Sequence, residues 1–464
     1  MSIRRDELFA QLPPVWPVTL LPLIQQHVQH AAKLVVLDDD PTGTQTVHDV
    51  PVLTHWSDEA LVAELQDANP VMYILTNSRA YSAERARAIN LEIAAALRRA
   101  SQTAGRQVAI VSRSDSTLRG HYAVETQALI EGLGTPVDGV LVVPFFLEGG
   151  RYTVGDTHYV DEQGWLIPAA ETEFARDATF GYAESDLREW VAARSHGAWR
   201  ADQVASITLD DLRNGGPRQV DLKLSQLADA QPCVVNATTY RDLEVLVAGI
   251  LASELQGHRY LYRTAASFVR VRGGLEPAAP LTAQDLCARS GGLVVAGSYV
   301  GRTTAQIEAA RQLPNLVAIE LDVPALLGAS ADQTLAAARV RIEDALQQHD
   351  VLVYTSRTLV TAGPVGGALD VGQRVSAALV ALVASLQTRP AWVIAKGGIT
   401  SSDIATEALH IRRAWVRGQA IPGVPVWRTG AESLWPDLDY VVFPGNVGGP
   451  DALARMITIL RGEC

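Results

Sequence analysis

The strongest constraint on the fold is a repeated pattern in which a short apolar run ends in polar or glycine residues and leads into a helical stretch. Such runs lie at 34–37, 71–75, 108–111, 139–143 and 233–235, and again at 293–296, 351–354, 392–395 and 440–443. Continuous apolar runs suit strands that are buried on both faces, and strand–helix alternation is typical of parallel sheets. The sequence therefore predicts an α/β protein with mostly parallel sheets flanked by helices.

The two series of strands are separated by a span rich in glycine, proline and alanine at 272–280. The length of 464 residues favours two or three domains. We predict an N-terminal arm at 1–30, where prolines break any long helix, a first domain at 31–275 and a second domain at 285–464.

Composition excludes several classes of protein. The net charge of -12 argues against a general nucleic-acid binder. Cys233, Cys287 and Cys464 are far apart and none lies in a CxxC motif, which disfavours a structural zinc site and favours a reduced setting. The first residues lack the apolar core of a signal peptide, and the longest apolar stretch, 375–386, is too short to span a bilayer. We expect a cytoplasmic protein without nucleic-acid or membrane partners, and leave self-association open.

Three acids, Asp38, Asp39 and Asp40, follow the first apolar run and precede a Pro-Thr-Gly-Thr turn. Ligands of open parallel sheets bind beyond the carboxyl ends of the strands, where carboxylates can bind Mg²⁺, accept a proton from a hydroxyl or orient a polyol. A solvated turn is the alternative. Neighbouring side chains on a strand point in different directions, so one of Asp39 and Asp40 can face a ligand while the other caps the turn or faces a metal. We favour Asp40 as the catalytic carboxylate because it lies nearer the turn, and keep Asp39 as the alternative.

Arginines cluster with polar residues after the other N-terminal strands. Two arginines can hold a carboxylate through paired hydrogen bonds, so the cluster predicts an anion site, although a self-paired Arg–Asp turn is the alternative. The candidate substrate-binding residues are Arg79, Arg113, Asp115, Ser116, Arg119 and Arg151. His158 is a further candidate base, but a lone histidine beside Tyr159 is more often structural.

The C-terminal half contains three strand–glycine–helix junctions: GSYVGRTT at 297–304, KGGITSSD at 396–403 and PGNVGG at 444–449. Glycine allows backbone N–H groups to approach an anion closely, and the following helix offers free N–H groups and a positive dipole end. Any one junction is explained by a tight turn, but three on one sheet predict a site for nucleotide phosphate and ribose. None is a Walker A motif, because GxxxxGK[ST] is absent.

Together these segments resemble the four-carbon acid sugar kinase family. The resemblance is carried, in chain order, by DDPTGTQ (39–45), SRSDSTLRGH (112–121), GGRYTVGDTHYV (149–160), ETEFARDA (171–178), GSYVGRTTAQI (297–307) and KGGITSSDIATEAL (396–409). It implies an N-terminal domain that binds a sugar acid and a C-terminal domain that binds ATP. It also implies phosphorylation of the terminal hydroxyl of threonate, erythronate or 3-oxo-tetronate.

The resemblance also implies that six residues lie at nucleotide-binding positions: Ser298, Gly397, Gly398, Ile399, Thr400 and Gly445. We add Thr303 of the first junction as a further candidate. The sequence departs from the family pattern in places. Arg113 replaces the usual lysine, Ile399 stands where an acid is common, and Val300 stands where a second serine is frequent. These departures suggest a distinct subgroup and leave its sugar acid open.

We therefore predict a kinase that uses ATP and Mg²⁺, with its active site in the cleft between two α/β domains. The carboxylate of the acid would lie near Arg113 or Arg119, and Asp39 or Asp40 would orient or deprotonate the attacking hydroxyl. Two alternatives remain. Glycine turns also hold the dinucleotide of an NAD(P)-linked oxidoreductase of sugar acids, although no GxGxxG follows the first strand. A non-catalytic sugar-acid sensor would leave the three phosphate-type turns without a role.

Overall fold

A computed structural model of the chain describes residues 2–286, 289–297, 301–356, 368–445 and 447–463. The chain forms two compact units: an N-terminal unit of Met1–Val47 and His55–Pro277, and a C-terminal unit of His48–Thr54 and Ala278–Cys464. The division after Pro277 lies within the glycine- and proline-rich span. The sequence pattern does not predict that the short segment 48–54 belongs to the C-terminal unit.

The strands of the described residues are, in chain order, β1 (Ile3–Arg4), β2 (Lys33–Asp38), β3 (Val50–Leu53), β4 (Val71–Leu75), β5 (Val108–Arg113), β6 (Gly139–Val143), β7 (Arg151–Val154), β8 (Thr157–Glu162), β9 (Trp165–Pro168), β10 (Ala205–Ile207), β11 (Gln231–Val235), β12 (Tyr260–Thr264), β13 (Leu293–Ala296), β14 (Leu316–Leu321), β15 (Asp350–Thr355), β16 (Trp392–Lys396), β17 (Arg413–Ile421), β18 (Val424–Thr429) and β19 (Asp439–Phe443).

The α-helices of the same ranges are α1 (Arg5–Phe9), α2 (Leu21–Val28), α3 (Asp58–Gln66), α4 (Ala83–Ala104), α5 (Tyr122–Leu133), α6 (Leu187–Arg194), α7 (Gly216–Leu224), α8 (Tyr240–Leu255), α9 (Ala266–Arg272), α10 (Gly301–Ala310), α11 (Val323–Leu327), α12 (Ala331–Leu346), α13 (Ala368–Ala384), α14 (Gly398–Asp403) and α15 (Ala452–Arg461). None of them is long and apolar enough to cross a membrane.

The N-terminal unit is built on a parallel sheet with the strand order β10-β11-β6-β12-β5-β2-β4. Every residue of β2 and β4 is buried, as expected for strands covered by helices on both faces. A second sheet, with the order β1-β9-β8-β7, is antiparallel. The N-terminal arm contributes only the two-residue strand β1 and short helices.

The C-terminal unit contains five parallel strands in the order β19-β16-β13-β15-β14. Strands β18, β17 and β3 extend this sheet with antiparallel pairing. Its core packs the buried apolar faces of β13, β16 and β19 against α10 and α15. The predicted α/β class with two mostly parallel sheets is therefore confirmed.

Several of the strands that the sequence pattern missed are not continuous apolar runs, although β14 begins with four apolar residues and was missed as well. In β8 and β17 buried and more exposed residues alternate, as in strands with one solvated face. β12 is fully buried but reads YLYRT, with one aliphatic residue in five. Its omission matters because β12 lies between β5 and β6 and carries Arg263 and Thr264 to the candidate site.

Candidate active site

The carboxyl ends of β2, β5 and β12 lie side by side in the N-terminal sheet. Asp38 is paired in register with Arg113, and Arg113 is paired with Thr264 on its other side. Because parallel strands end at the same edge of a sheet, the loops after these strands bring their polar side chains together. The three acids at the end of β2 therefore lie close to the arginines at or after the ends of β4 and β5.

Asp38 anchors the turn through its ion pair with Arg113. Its carboxylate is 2% exposed and lies 3.2 Å from Nη1 of Arg113. Burial raises the pKa of Asp38 to about 7, and the positive charge of Arg113 only partly offsets this effect. A Cβ on Gly43 would lie 2.0 Å from Oδ2 of Asp38, so the turn requires glycine there. Arg113 is 6% exposed and engaged with Asp38, which makes it a weaker candidate for the substrate carboxylate than the sequence suggests.

Asp40 caps the turn instead of presenting a base. Its carboxylate accepts hydrogen bonds from the backbone N–H of Thr42 at 2.9 Å and from the Thr42 hydroxyl at 2.6 Å, and it pairs with Arg79. Burial alone would raise its pKa, but Arg79 and the Thr42 hydrogen bonds outweigh burial, and the pKa of Asp40 is lowered. A carboxylate held in this way is a poor proton acceptor, so our preference for Asp40 is not supported.

Asp39 lies in a different environment from Asp40. It is 2% exposed, and its Oδ2 accepts a hydrogen bond from the Ser114 hydroxyl at 2.6 Å. Its Oδ1 has no hydrogen-bond partner in the described part of the chain and lies 3.9 Å from a guanidinium nitrogen of both Arg79 and Arg113. Burial raises the pKa of Asp39, opposed mainly by Arg79. Asp39 and Asp40 therefore differ in their hydrogen bonds and in the direction of their pKa shifts.

A chain of buried groups that the sequence analysis missed fixes Asp39 in place. Glu125 of α5 pairs with Arg263 of β12. Arg263 donates from Nη2 to Ser114 at 2.7 Å, and the Ser114 hydroxyl donates to Asp39. Ser114 and Glu125 lie within or just after a segment that we had recognised, but only the fold reveals that Arg263 links Glu125 to Ser114, which in turn contacts Asp39.

Arg79 and Arg119 share the next acid, Asp115. Nη1 of Arg79 lies 3.6 Å from Asp115, and Nε of Arg119 lies 2.6 Å from it. Burial would raise the pKa of Asp115, but the two arginines outweigh it and the pKa is lowered. Arg119 also lies 3.6 Å from Asp177 and keeps 26% of its side chain exposed. The arginines are therefore partly paired with acids of the same cluster, which is the alternative given in the sequence analysis. Arg113 and Arg119 were predicted to bind the substrate carboxylate, and Arg119 is the more exposed of the two.

The remaining predicted residues of the N-terminal domain surround this cluster. Arg119 and Arg151 both stack on the ring of Phe174, at 5.2 and 5.4 Å from its centroid. His158 is fully buried and its two ring nitrogens contact the Thr153 hydroxyl at 3.0 Å and the backbone oxygen of Ser116 at 2.8 Å. Burial lowers the pKa of His158 to about 4. His158 thus has the structural role that we favoured, and Ser116 contributes through its backbone.

The titration of Asp38 gives a testable prediction. The pKa of this group is about 7 in the folded chain against an ordinary value of 3.8. The folded state therefore holds a proton that the unfolded state has lost, and this contribution to stability is full below about pH 4 and is lost as the pH rises through about 7. Asp38→Asn cannot ionise, so the free energy of unfolding of the wild type should fall relative to that of the variant over this window. Urea unfolding of both proteins across the window measures the difference, and parallel pH profiles would contradict the assignment.

In the C-terminal unit, the turns after β13, β16 and β19 meet at one edge of the sheet, since these strands are neighbours. A Cβ on Gly297 would lie 2.7 Å from Oγ1 of Thr400, so the turns after β13 and β16 lie close together. The Thr303 hydroxyl donates to the backbone oxygen of Gly445 at 3.4 Å, which joins the first and the third. Ser298 lies outside the described residues.

Gly397 has the backbone conformation that most requires glycine, with φ of 115° and ψ of 142°. Its N–H donates to the backbone oxygen of Phe443 at 2.9 Å, and Gly398 begins α14. Ile399 is 54% exposed on the first turn of this helix. Lys396 is fully buried and donates to the backbone oxygen of Pro444 at 3.1 Å, so it stabilises the turn after β19. Glycine residues therefore lie together at the ends of these three neighbouring strands.

Gln306, which the sequence analysis did not select, fixes the third turn. It is fully buried on α10, and its Nε2 donates to the backbone oxygens of Val447 at 3.0 Å and Gly449 at 2.8 Å.

No three His, Cys, Asp or Glu side chains in the described ranges are placed to hold a metal ion together.

Family models match both halves of the chain. Residues 34–272 match a sugar-binding N-terminal domain, and residues 293–453 match a nucleotide-binding C-terminal domain. A D-threonate kinase of Cupriavidus necator is 30% identical over 382 residues, which are 80% of this chain and 82% of that protein. The chain belongs to the four-carbon acid sugar kinase family. The resemblance stated from the motifs is thereby confirmed.

Other members of the four-carbon acid sugar kinase family are similar over different lengths. A D-threonate kinase of Salmonella typhimurium is 26% identical over 443 residues, which are 91% of this chain and 96% of that protein. A D-erythronate kinase of Heliobacterium modesticaldum is 30% identical over 186 residues, 40% of this chain and 39% of that protein. These names support a kinase.

Solved structures share the fold at low identity. A Salmonella typhimurium LT2 protein aligns with a TM-score of 0.67 at 19% identity, covering 91% of this chain and 98% of its own. A Haemophilus influenzae protein aligns with a TM-score of 0.62 at 18% identity, covering 90% and 97%. The two-domain α/β fold is therefore common to the family.

Proposed function

We propose that this family member transfers the γ-phosphoryl group of ATP to the terminal hydroxyl of a four-carbon sugar acid of the threonate, erythronate or 3-oxo-tetronate type. The observation that carries the proposal is Asp39, a buried carboxylate with a raised pKa and one unpartnered oxygen, which lies beside Arg79 and Arg113 in the domain that matches the sugar-binding model.

The proposed role of Asp39 is to accept the proton of the attacking hydroxyl. Its raised pKa makes it a better proton acceptor at neutral pH than Asp40 or Asp115, whose pKa values are lowered. Ser114 and Arg263 orient the carboxylate, and Arg79 holds Asp40 and the turn beside it. Arg119 would bind the carboxylate of the acid.

The proposed nucleotide site is the cradle formed by the turns at Gly297, Gly397 and Gly445. Phosphoryl transfer depends chiefly on positioning and charge neutralisation, which backbone N–H groups and a helix end can provide. Mg²⁺ would reach this site on the phosphates of ATP, since it is commonly held with few protein ligands.

Arg119→Ala tests the proposed contact with the substrate carboxylate. Losing a hydrogen bond to a charged group costs roughly 1.5–3 kcal/mol, so we expect KM for the acid to rise by about 10- to 150-fold. KM for ATP should change little, because the glycine turns lie in the other domain. Arg176→Ala is the matched control, since Arg176 is an exposed arginine in the same region. A change in the ATP KM alone would mean that the two domains have been assigned the wrong ligands.

Two assays separate the proposal from its alternatives. A thermal-shift screen should show stabilisation by ATP with Mg²⁺ and by a sugar acid, but not by NAD(P). A coupled assay for ADP release with D-threonate, D-erythronate and 3-oxo-tetronates should then give turnover with at least one of them. Stabilisation by NAD(P) would favour the oxidoreductase, and stabilisation by an acid without turnover would favour the sensor.

A further inference from the structure

Arg151 differs from the other arginines of the candidate site, because no carboxylate of the described residues lies within ion-pair distance of it. Its Nη1 donates to the backbone oxygen of Gly149, and its Nε is buried without a hydrogen-bond partner in the part of the chain that the structure describes. Four other arginines are each paired with at least one acid: Arg79 with Asp40 and Asp115, Arg113 with Asp38, Arg119 with Asp115 and Asp177, and Arg263 with Glu125.

The surroundings of Arg151 disfavour its positive charge. Burial lowers the pKa of the Arg151 guanidinium, the negative charge of Asp115 offsets this effect only in part, and the positive charge of Arg119 lowers the pKa further. A charged group that is withdrawn from water is costly unless it is paired and hydrogen-bonded. An arginine side chain keeps its proton in proteins, so the group that would relieve this cost is an anion.

Phe174 brings Arg151 and Arg119 around one aromatic ring. The guanidinium carbons of Arg151 and Arg119 lie 5.4 and 5.2 Å from the centroid of this ring. Arg119 lies in the loop after β5, Arg151 begins β7 and Phe174 follows β9, so three separate segments assemble the arrangement. The charge of Arg119 is already offset by Asp115 at 2.6 Å and by Asp177 at 3.6 Å. The excess positive charge beside the ring is therefore that of Arg151.

We propose that Arg151 binds the carboxylate of the sugar acid together with Arg119 and thereby makes the site selective for an acid over a neutral polyol. The inference rests on the proposed function, in which Arg119 binds this carboxylate. Asp115 and Asp177 would repel a carboxylate that approached Arg119 alone, and Arg151 provides the positive charge that offsets this repulsion. A guanidinium has five N–H donors, so Arg151 can bind the carboxylate while Nη1 keeps its bond to Gly149.

Calorimetry with sugar acids and the corresponding polyols measures this selectivity without turnover. The probes are D-threonate and D-erythronate, and the neutral polyols D-threitol and erythritol, in which a hydroxymethyl group replaces the carboxylate. Arg151→Gln should weaken binding of the preferred acid by about 10- to 150-fold, the range for a hydrogen bond to a charged group, and should leave binding of its polyol within about twofold of the wild type. The ratio of acid affinity to polyol affinity should therefore fall.

Two further substitutions at the same position test the role of the charge. Arg151→Met is a second neutral variant, which keeps an apolar stem beside Phe174, and it should lose the acid preference as Arg151→Gln does. Arg151→Lys keeps the positive charge but loses the planar fork of donors, and it should retain part of the preference.

Arg106→Gln is the matched control. Arg106 is another half-buried arginine of the N-terminal unit that donates to backbone oxygens, those of Leu65 and Asp67, but it precedes β5 and so lies at the opposite edge of the sheet from the site. Its ratio should equal that of the wild type. An unchanged ratio in folded Arg151→Gln and Arg151→Met, or a loss of ATP affinity in place of acid affinity, would overturn the inference and leave the proposed function intact. If the wild type bound neither acid, the proposed function would fail and the inference with it.

Discussion

Replacing Asp39 with asparagine is expected to lower kcat by about 10²- to 10⁴-fold, the usual contribution of general acid–base catalysis. Asparagine keeps the shape of the side chain and can still accept the hydrogen bond from Ser114, but it cannot take up a proton. Sugar-acid binding should persist, because Arg119 is unchanged, and ATP binding should persist because the glycine turns lie in the C-terminal domain. Steady-state kinetics with calorimetric binding of both ligands measure the separate effects.

Asp40→Asn provides the contrast at the neighbouring position. Asp40 accepts from Thr42 and pairs with Arg79, so its substitution should loosen the turn and weaken sugar-acid binding. Its effect on kcat should remain within about tenfold, since its pKa is lowered and it is a poor base. A larger loss of kcat in Asp40→Asn than in Asp39→Asn would reverse the assignment, and wild-type turnover in both would reduce the acid cluster to a structural turn.

The second large effect is expected at Gly397, where a side chain should abolish tight nucleotide binding. At φ of 115° and ψ of 142° the backbone lies in a region that is essentially restricted to glycine, and forcing another residue into it costs on the order of 1–3 kcal/mol. Gly397→Ala should therefore shift the turn away from the phosphates and weaken ATP binding by about 10- to 100-fold, as measured by calorimetry.

Gly257→Ala is the matched control for Gly397→Ala. Gly257 also has a positive φ, of 98°, but it lies in the N-terminal unit with nothing within 4 Å of an added Cβ. The two variants should lose comparable stability, whereas only Gly397→Ala should lose ATP affinity. Gly398, which the sequence singles out equally, begins a helix and is not among the glycines with positive φ. If folded Gly397→Ala kept the ATP affinity of the wild type, the turn after β16 would not be part of the nucleotide site.

The sequence predicted site residues best where a polar or glycine residue directly follows an apolar strand. The acids at the end of β2 and the glycines after β13, β16 and β19 could be predicted, because a polar residue or a glycine directly after an apolar run can be recognised in the sequence alone. The direction of each side chain could not. Asp39 and Asp40 are adjacent and chemically identical, and only the positions of Ser114 and Thr42 distinguish the carboxylate with an unpartnered oxygen from the capping one.

The residues that were missed share a physical reason. Arg263 and Gln306 reach their sites across the sheet or from a neighbouring helix, so their relevance depends on strand order and not on local pattern. Arg113 illustrates the reverse case, because its motif marks a binding residue whereas its guanidinium is buried against Asp38 in the fold. Pairing among charged groups is a property of the assembled fold and cannot be predicted from spacing alone.

The most direct test of the central claim is the identity of the reaction product. The protein is incubated with ATP, Mg²⁺ and each acid that stabilises it in the thermal-shift screen, and the product is analysed by phosphorus–proton correlation NMR. The account predicts one equivalent of ADP for each phosphate ester formed, with the phosphorus coupled to the two protons of the terminal carbon. A phosphate on an internal hydroxyl or on the carboxylate, or ADP released without any phosphorylated acid, would contradict it.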